Sequence, residues 1–133
     1  NGLRKVPVIA VETEGAASFA AALAAGEPVT LPAITPIATS LGARRAMPRL
    51  LELAREHGIV SMVVSDKQAV QACLRFADAT RVLVEPACGA ALAALDVHPE
   101  VFKRFKAPLI EVCGGMGVSM ASLAQWRSAF GLA

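Results

Sequence analysis

The sequence of 133 residues contains no tyrosine, one tryptophan and five phenylalanines. Its 13 basic residues are scattered among 11 acidic ones, which leaves a formal net charge of +2. Nucleic-acid binding needs a concentrated basic surface or aromatic side chains for base stacking, so this composition argues against a nucleic-acid partner. No apolar run reaches the roughly 20 residues that span a bilayer, and the N-terminus lacks the residue order of a secretory signal. We therefore expect a cytoplasmic protein without a membrane partner.

Cysteine is also scarce, and its pattern excludes two common uses. Cys73, Cys88 and Cys113 form no CxxC pair and are odd in number, which argues against a zinc site and against a disulfide framework. Cys88 follows a strand-like segment at the start of a helix-like one, where a helix dipole lowers a thiol pKa. A cysteine-nucleophile enzyme using Cys88, with His57 or His98 as base, is therefore one alternative function.

The apolar fraction of 55% exceeds the roughly 45–50% of typical soluble domains, which suggests surface that a partner covers. Four apolar runs are typical of strands buried on both faces, as in parallel sheets. They span residues 6–11, 59–64, 82–84 and 109–112. Helical spacing and cap residues, including a Ser65–Gln68 capping box, predict helices between and after them. These cover residues 19–25, 34–41, 47–57, 66–77, 90–95, 99–105 and 119–130.

This order predicts an α/β fold, a mostly parallel sheet with helices on both faces, as one domain over residues 1–133. Glu12, Glu85 and Cys113 each follow a predicted strand, so they are expected at one edge of the sheet, where such folds bind ligands. The segment Cys-Gly-Gly-Met-Gly at residues 113–117 matches neither the dinucleotide fingerprint nor the P-loop. The residues alone therefore predict a ligand-binding α/β domain.

Four segments, in order, resemble the C-terminal half of an L-serine dehydratase. They are VPVIAVET at residues 6–13, LPAIT at 31–35, VEPACGAALA at 84–93 and VCGG at 112–115. L-serine dehydratases belong to the fold type II pyridoxal 5′-phosphate enzymes, with L-threonine dehydratase and the tryptophan synthase β chain. The resemblance implies the large domain of that fold, in a lyase of amino-acid metabolism that converts L-serine or L-threonine to a 2-oxo acid and ammonia.

In this family the Schiff-base lysine and the loop that holds the cofactor phosphate lie in the N-terminal half. The lysines of this chain, Lys5, Lys67, Lys103 and Lys106, do not lie in the family's lysine motif. The resemblance therefore implies a fragment that is inactive alone and incomplete without that N-terminal half, with a small amino acid as substrate and a homodimer as the full-length state. The alternative is a non-catalytic ligand-binding or assembly domain derived from the same fold.

The resemblance also implies roles for residues around the cofactor. Cys113 matches the residue whose neutral side chain contacts the pyridine nitrogen, and Gly114 follows it. A neutral partner leaves that nitrogen largely unprotonated, which suits β-elimination. Glu85 matches a carboxylate near the ring and Ser40 an active-site neighbour.

A monovalent-cation site is implied as well, with potassium as the expected ion. Glu12 would supply a carboxylate, and Ala16, Leu41 and Ala43 would supply backbone carbonyls. Oxygen ligands suit such a hard cation. The chain departs from the family at Met116 and Gly117, where polar residues usually follow Cys-Gly-Gly.

Overall fold

The computed structural model describes residues 6–132, and the chain divides into two compact units at Val63. No helix of the described part is both long and apolar enough to cross a membrane. Lys5 lies outside the described residues. The predicted α/β fold with a parallel sheet is confirmed, whereas the single domain over residues 1–133 stays a prediction.

The first unit contains a two-stranded sheet of β1 (Ile9–Thr13) and β2 (Val60–Val64), in which Val60 N–H donates to Val8 O at 3.0 Å. The predicted first strand at residues 6–11 is therefore shifted toward the C-terminus. Its expected burial on both faces is wrong, because Val6 is 55% and Val8 49% exposed. Each strand of a two-stranded sheet has one edge without a neighbouring strand. Residues 6–8, which precede β1, therefore stay accessible.

Helices α1 (Ser18–Ala25) and α2 (Pro48–His57) form as predicted and end at Gly26 and Gly58 in left-handed conformation. Their apolar faces share one core. It contains Phe19, Ala22, Ala46, Leu51 and Ala54.

The predicted helix over residues 34–41 is wrong, since only a 3₁₀ turn at Thr39–Leu41 forms there. Pro36 disfavours helical conformation at Thr35. The ends of the segment are joined instead, as Leu31 N–H donates to Arg44 O at 2.7 Å. Residues 31–44 therefore form a closed loop.

The second unit contains α3 (Asp66–Thr80), α4 (Pro86–Val97), the short α5 (Pro99–Phe102) and α6 (Met120–Ala129). The predicted Ser65–Gln68 capping box is confirmed. Helix α5 is shorter than the predicted 99–105. Helix α4 begins four residues before the predicted start at residue 90, because proline is favoured at a first helical position and Pro86 occupies it.

Close packing of α3 and α4 depends on Gly89. A Cβ atom at this position would lie 2.2 Å from Ala69 O and 2.5 Å from Cys73 Sγ. A larger residue would therefore separate the helices. The apolar core below them contains Cys73, Val84, Cys88 and Leu123.

The strands predicted at residues 82–84 and 109–112 do not form, although both segments are present as irregular chain. They approach each other at Glu85, whose N–H donates to Gly114 O at 3.1 Å. A strand needs a continuing ladder of such bonds. Leu109 is 97% exposed, so the expected burial of its segment is also wrong at this end.

Candidate functional site

The thiol of Cys113 lies at the surface of the second unit, in the irregular segment before α6. Its Sγ is 3.7 Å from Glu111 Oε1, to which it donates a hydrogen bond. The negative charge of Glu111 is the main cause that raises the pKa of Cys113, with smaller contributions from desolvation and from Cys88. A raised pKa keeps the exposed thiol protonated near neutral pH, where it can donate a hydrogen bond.

Sequence reasoning missed Glu111, because this residue lies inside the predicted apolar strand at 109–112. The signal was available in the spacing. Residues two apart in an extended segment point to the same side, so this spacing would have placed Glu111 beside Cys113. A carboxylate in an otherwise apolar run also needs a polar partner or solvent.

Two glycines follow Cys113, and their surroundings differ. Gly114 has φ of +149°, which favours glycine, and apart from its two chain neighbours no atom of the described residues lies within 4 Å of the position that a Cβ would occupy. At Gly115 the reverse holds, because a Cβ would lie 2.2 Å from Leu83 O. Open space thus lies where a side chain of residue 114 would stand, and Gly115 fixes the segment against residue 83.

Glu85 joins the start of α4 to this glycine-rich segment. Its backbone N–H donates to Gly114 O, and its Oε1 accepts a hydrogen bond from Gly117 N–H at 2.9 Å. Glu85 also has a further interaction. Glu85 is therefore bonded to the segment that carries Cys113, within one unit.

Cys88 and Cys73 are buried on the inner side of the same segment. Cys88 is 5% exposed and its Sγ donates to Gly114 O at 3.4 Å. Cys73 is fully buried, and burial is the main cause that raises its pKa to about 12. Reactive thiols are accessible and have lowered pKa values, so burial of Cys88 disfavours the cysteine-nucleophile alternative.

In the first unit, the carboxylate of Glu12 binds the N-terminus of α1. Its two oxygens accept hydrogen bonds from the N–H groups of Phe19 and Ala20, both at 2.8 Å. These amides have no partner within the helix, and the helix dipole favours negative charge there. Glu12 therefore has a structural role whether or not it binds a cation.

The other predicted cation ligands lie in turns of this unit. Ala16 O accepts a hydrogen bond from Ser18 N–H at 2.9 Å, and Leu41 O accepts one from Ala43 N–H at 2.8 Å. The described residues contain no cluster of three or more His, Cys, Asp or Glu side chains that could hold a metal ion. The predicted cation site has one carboxylate and three backbone carbonyl oxygens. The absence of a cluster of three such side chains therefore does not test it.

A buried hydroxyl lies beside this turn. Thr13 is fully buried, its O accepts a hydrogen bond from Ala16 N–H at 3.0 Å, and its Oγ1 has no partner among the described residues. Ser40, by contrast, is exposed within the 3₁₀ turn and has an interaction of its own. Glu12 belongs to the first unit and Glu85 and Cys113 to the second, so their convergence at one edge stays a prediction.

Comparison with known proteins gives one consistent family. The family profile described as "Pyridoxal-phosphate dependent enzyme" matches residues 1–114. The chain is 45% identical to a mouse serine dehydratase-like protein and 44% identical to human L-serine dehydratase/L-threonine deaminase. Each match covers 98% of this chain and 42% of the relative, so the chain spans about two fifths of those proteins.

The structural comparison agrees. A fungal L-serine ammonia-lyase from Rhizomucor miehei superposes with a TM-score of 0.87 at 34% identity. The superposition covers 97% of this chain and 42% of the fungal chain. The fold of this chain is therefore that of a C-terminal part of such a protein.

Proposed function

The chain belongs to the pyridoxal-phosphate dependent enzyme family, and we propose that it is the C-terminal part of an ammonia-lyase acting on L-serine or L-threonine. The parent reaction would release a 2-oxo acid and ammonia. One observation carries the proposal for this chain's own residues. It is the exposed thiol of Cys113, whose pKa is raised, within the glycine-rich segment that Glu85 binds.

The residues around Cys113 fit the ring of pyridoxal 5′-phosphate. A pyridine nitrogen is an acceptor, the protonated thiol is a donor, and glycine at position 114 places no side chain next to the thiol. Cys113 and Gly114 would contact the ring, with Glu85 supporting their segment and Ser40 nearby. When bound, the cofactor would supply an electron-withdrawing ring that stabilises negative charge on the substrate.

In this arrangement the residues of this chain would orient the cofactor ring and set the hydrogen bonding at its nitrogen. They would perform no proton transfer on the substrate. The Cys113 thiol donates a hydrogen bond without giving up its proton, because its pKa lies well above that of a pyridine nitrogen. Glu85 keeps the glycine segment in place through Gly117 N–H. The lysine that performs proton transfer in this family is expected from the N-terminal half.

The cation site is the second part of the proposal. Glu12, with the carbonyl oxygens of Ala16, Leu41 and Ala43, would bind a monovalent cation, with potassium expected. Each carboxylate oxygen of Glu12 accepts one hydrogen bond, which leaves lone pairs for a cation. The buried Thr13 Oγ1 next to this turn supports a polar centre there. The cation would hold the turn between β1 and α1 against the loop of residues 31–44.

The parent protein would be a cytoplasmic homodimer whose N-terminal half completes the site. We test this by co-expressing the chain with the N-terminal half of a serine dehydratase and measuring 2-oxo acid release from L-serine and L-threonine. The proposal predicts release that needs both halves and pyridoxal 5′-phosphate. A folded complex that binds no cofactor and releases no 2-oxo acid would instead indicate a non-catalytic assembly domain.

A further inference from the structure

Glu111 lies where its charge acts on the thiol of Cys113. Its Oε1 accepts the S–H of Cys113 at 3.7 Å, and both residues are exposed on the irregular segment before α6. No ion pair of the described residues involves Glu111. The carboxylate charge is therefore not neutralised by a basic side chain in the described part, and it remains available to repel a thiolate.

Protonation of this thiol decides what it can do beside a pyridine ring. A thiol donates one hydrogen bond, whereas a thiolate only accepts and would repel the lone pair of a ring nitrogen. The S–H can turn from Glu111 to another acceptor by rotation about the Cβ–Sγ bond. The negative charge of Glu111 still disfavours the thiolate after that rotation, because Coulomb repulsion does not need the hydrogen bond.

We propose that Glu111 is a positioning residue that holds the proton on Cys113, so that this thiol serves as the donor to the cofactor ring. The role of the thiol as donor to the cofactor ring rests on the proposed function. The effect of Glu111 on the thiol proton rests on the Glu111–Cys113 contact. Two other titratable groups face the same segment. Cys88 contacts Gly114 O from α4 and acts on Cys113 in the same direction, and Glu85 binds Gly117 N–H.

The test is the pH profile of Cys113 alkylation in the full 133-residue chain. Iodoacetamide reacts with the thiolate, and peptide mass spectrometry separates Cys113 from the buried Cys73 and Cys88. Glu111→Gln is expected to increase the alkylation rate of Cys113 several-fold below the ordinary thiol pKa of about 8.5. Glu111→Asp keeps the charge and is expected to retain most of the slow reaction.

The control is Glu100→Gln, which removes the same charge in the same unit from a carboxylate paired with His98. It should leave the Cys113 profile unchanged. Equal profiles for the wild type and Glu111→Gln would overturn the inference. If Glu111→Gln unfolds, alkylation of Cys73 and Cys88 will show it. The salt dependence of Cys113 alkylation in the wild-type chain then provides the test. Added salt screens Glu111 and must accelerate Cys113 alkylation, and a rate independent of salt would overturn the inference.

These measurements need no cofactor, so they separate the inference from the proposed function. An unchanged profile in Glu111→Gln, together with 2-oxo acid release by the co-expressed halves, rejects the role of Glu111 alone. The expected profile without any 2-oxo acid release rejects the dehydratase function and leaves the contact established. In the active complex, Glu111→Gln should lower activity increasingly as pH rises, because its Cys113 ionises at lower pH.

Discussion

The carboxylate of Glu85 accepts a hydrogen bond from Gly117 N–H at 2.9 Å, which joins the first residues of α4 to the glycine-rich segment 32 residues later. A Cβ at position 117 would lie 3.2 Å from the same oxygen. The two residues thus meet at a position where the family resemblance predicts a polar residue and this chain has glycine. Loss of a bond from a charged acceptor should loosen the segment that carries Cys113.

Glu85→Ala is therefore expected to reduce hydrogen-exchange protection of the Gly117 amide and to lower the free energy of unfolding by about 0.5–1.5 kcal/mol. Exchange is measured by mass spectrometry and stability by urea unfolding. Glu27→Ala, a change at an exposed carboxylate in the other unit, is the control and should affect neither. Unchanged protection at Gly117 in Glu85→Ala would show that the bond does not hold the segment.

Gly89→Ala should destabilise the second unit strongly. The added methyl group would lie 2.2 Å from Ala69 O, and a backbone carbonyl within a helix cannot move aside cheaply. We expect a loss of about 1–3 kcal/mol in the free energy of unfolding, which is typical of overpacking. Ser128→Ala, at an exposed position of α6, should change it by less than about 0.5 kcal/mol in the same urea experiment. A Gly89→Ala variant as stable as the wild type would contradict the close approach of α3 and α4.

Glu12→Ala should weaken α1 through loss of both hydrogen bonds to Phe19 and Ala20. Removal of a side-chain cap typically lowers the free energy of unfolding by about 0.5–2 kcal/mol. Glu14→Ala is the matched control, because this neighbouring carboxylate is exposed. An equal loss of stability in both variants would mean that net charge, and not the contact with α1, is responsible.

The cation proposal gives a separate prediction for Glu12. A cation that binds only the folded chain raises the urea midpoint as its concentration increases. Potassium chloride should therefore stabilise the wild type more than tetramethylammonium chloride at equal ionic strength, and Glu12→Ala should abolish the difference. A potassium effect that persists in Glu12→Ala would place the ion elsewhere.

Stability should fall at alkaline pH because of Cys73. Burial raises the pKa of this thiol from 9.0 to about 12 in the folded chain. Between those values the unfolded thiol loses its proton and the folded one keeps it, so the unfolded state binds fewer protons and stability decreases as pH rises. Urea midpoints measured across this range should fall less steeply in Cys73→Ala. Identical slopes would show that Cys73 ionises equally in both states.

Much of the fold follows from local sequence. Terminating glycines and the Ser65–Gln68 capping box predicted α1, α2 and α3, because these signals act within a few residues of the helix ends. The failures have physical causes that local patterns do not contain. Pro36 interrupts an apparent helical period, and residues 82–84 and 109–112 lack the neighbouring strands that would complete a ladder.

Only part of the candidate site could be predicted, because local sequence patterns do not contain its contacts between distant residues. The contact between Glu85 and the segment after Cys113 was expected only as proximity at a sheet edge, since a bond across 32 residues leaves no local pattern. Glu111 was missed because an apolar run was interpreted by its average character and not by its single charge. The roles of Cys113, Glu12 and the carbonyl ligands came from family resemblance, and they stay predictions.

The most direct measurement compares three forms of the co-expressed halves, with wild-type chain, Cys113→Ser and Cys113→Ala. We would record the absorbance of bound pyridoxal 5′-phosphate and 2-oxo acid release from L-serine for each. The account predicts cofactor binding and release in the wild type, substantial retention in Cys113→Ser because a hydroxyl still donates, and a loss of about tenfold or more in Cys113→Ala, equivalent to about 1.4 kcal/mol. Equal activity of all three forms would contradict the role of Cys113, and no activity in a folded wild-type complex would contradict the function.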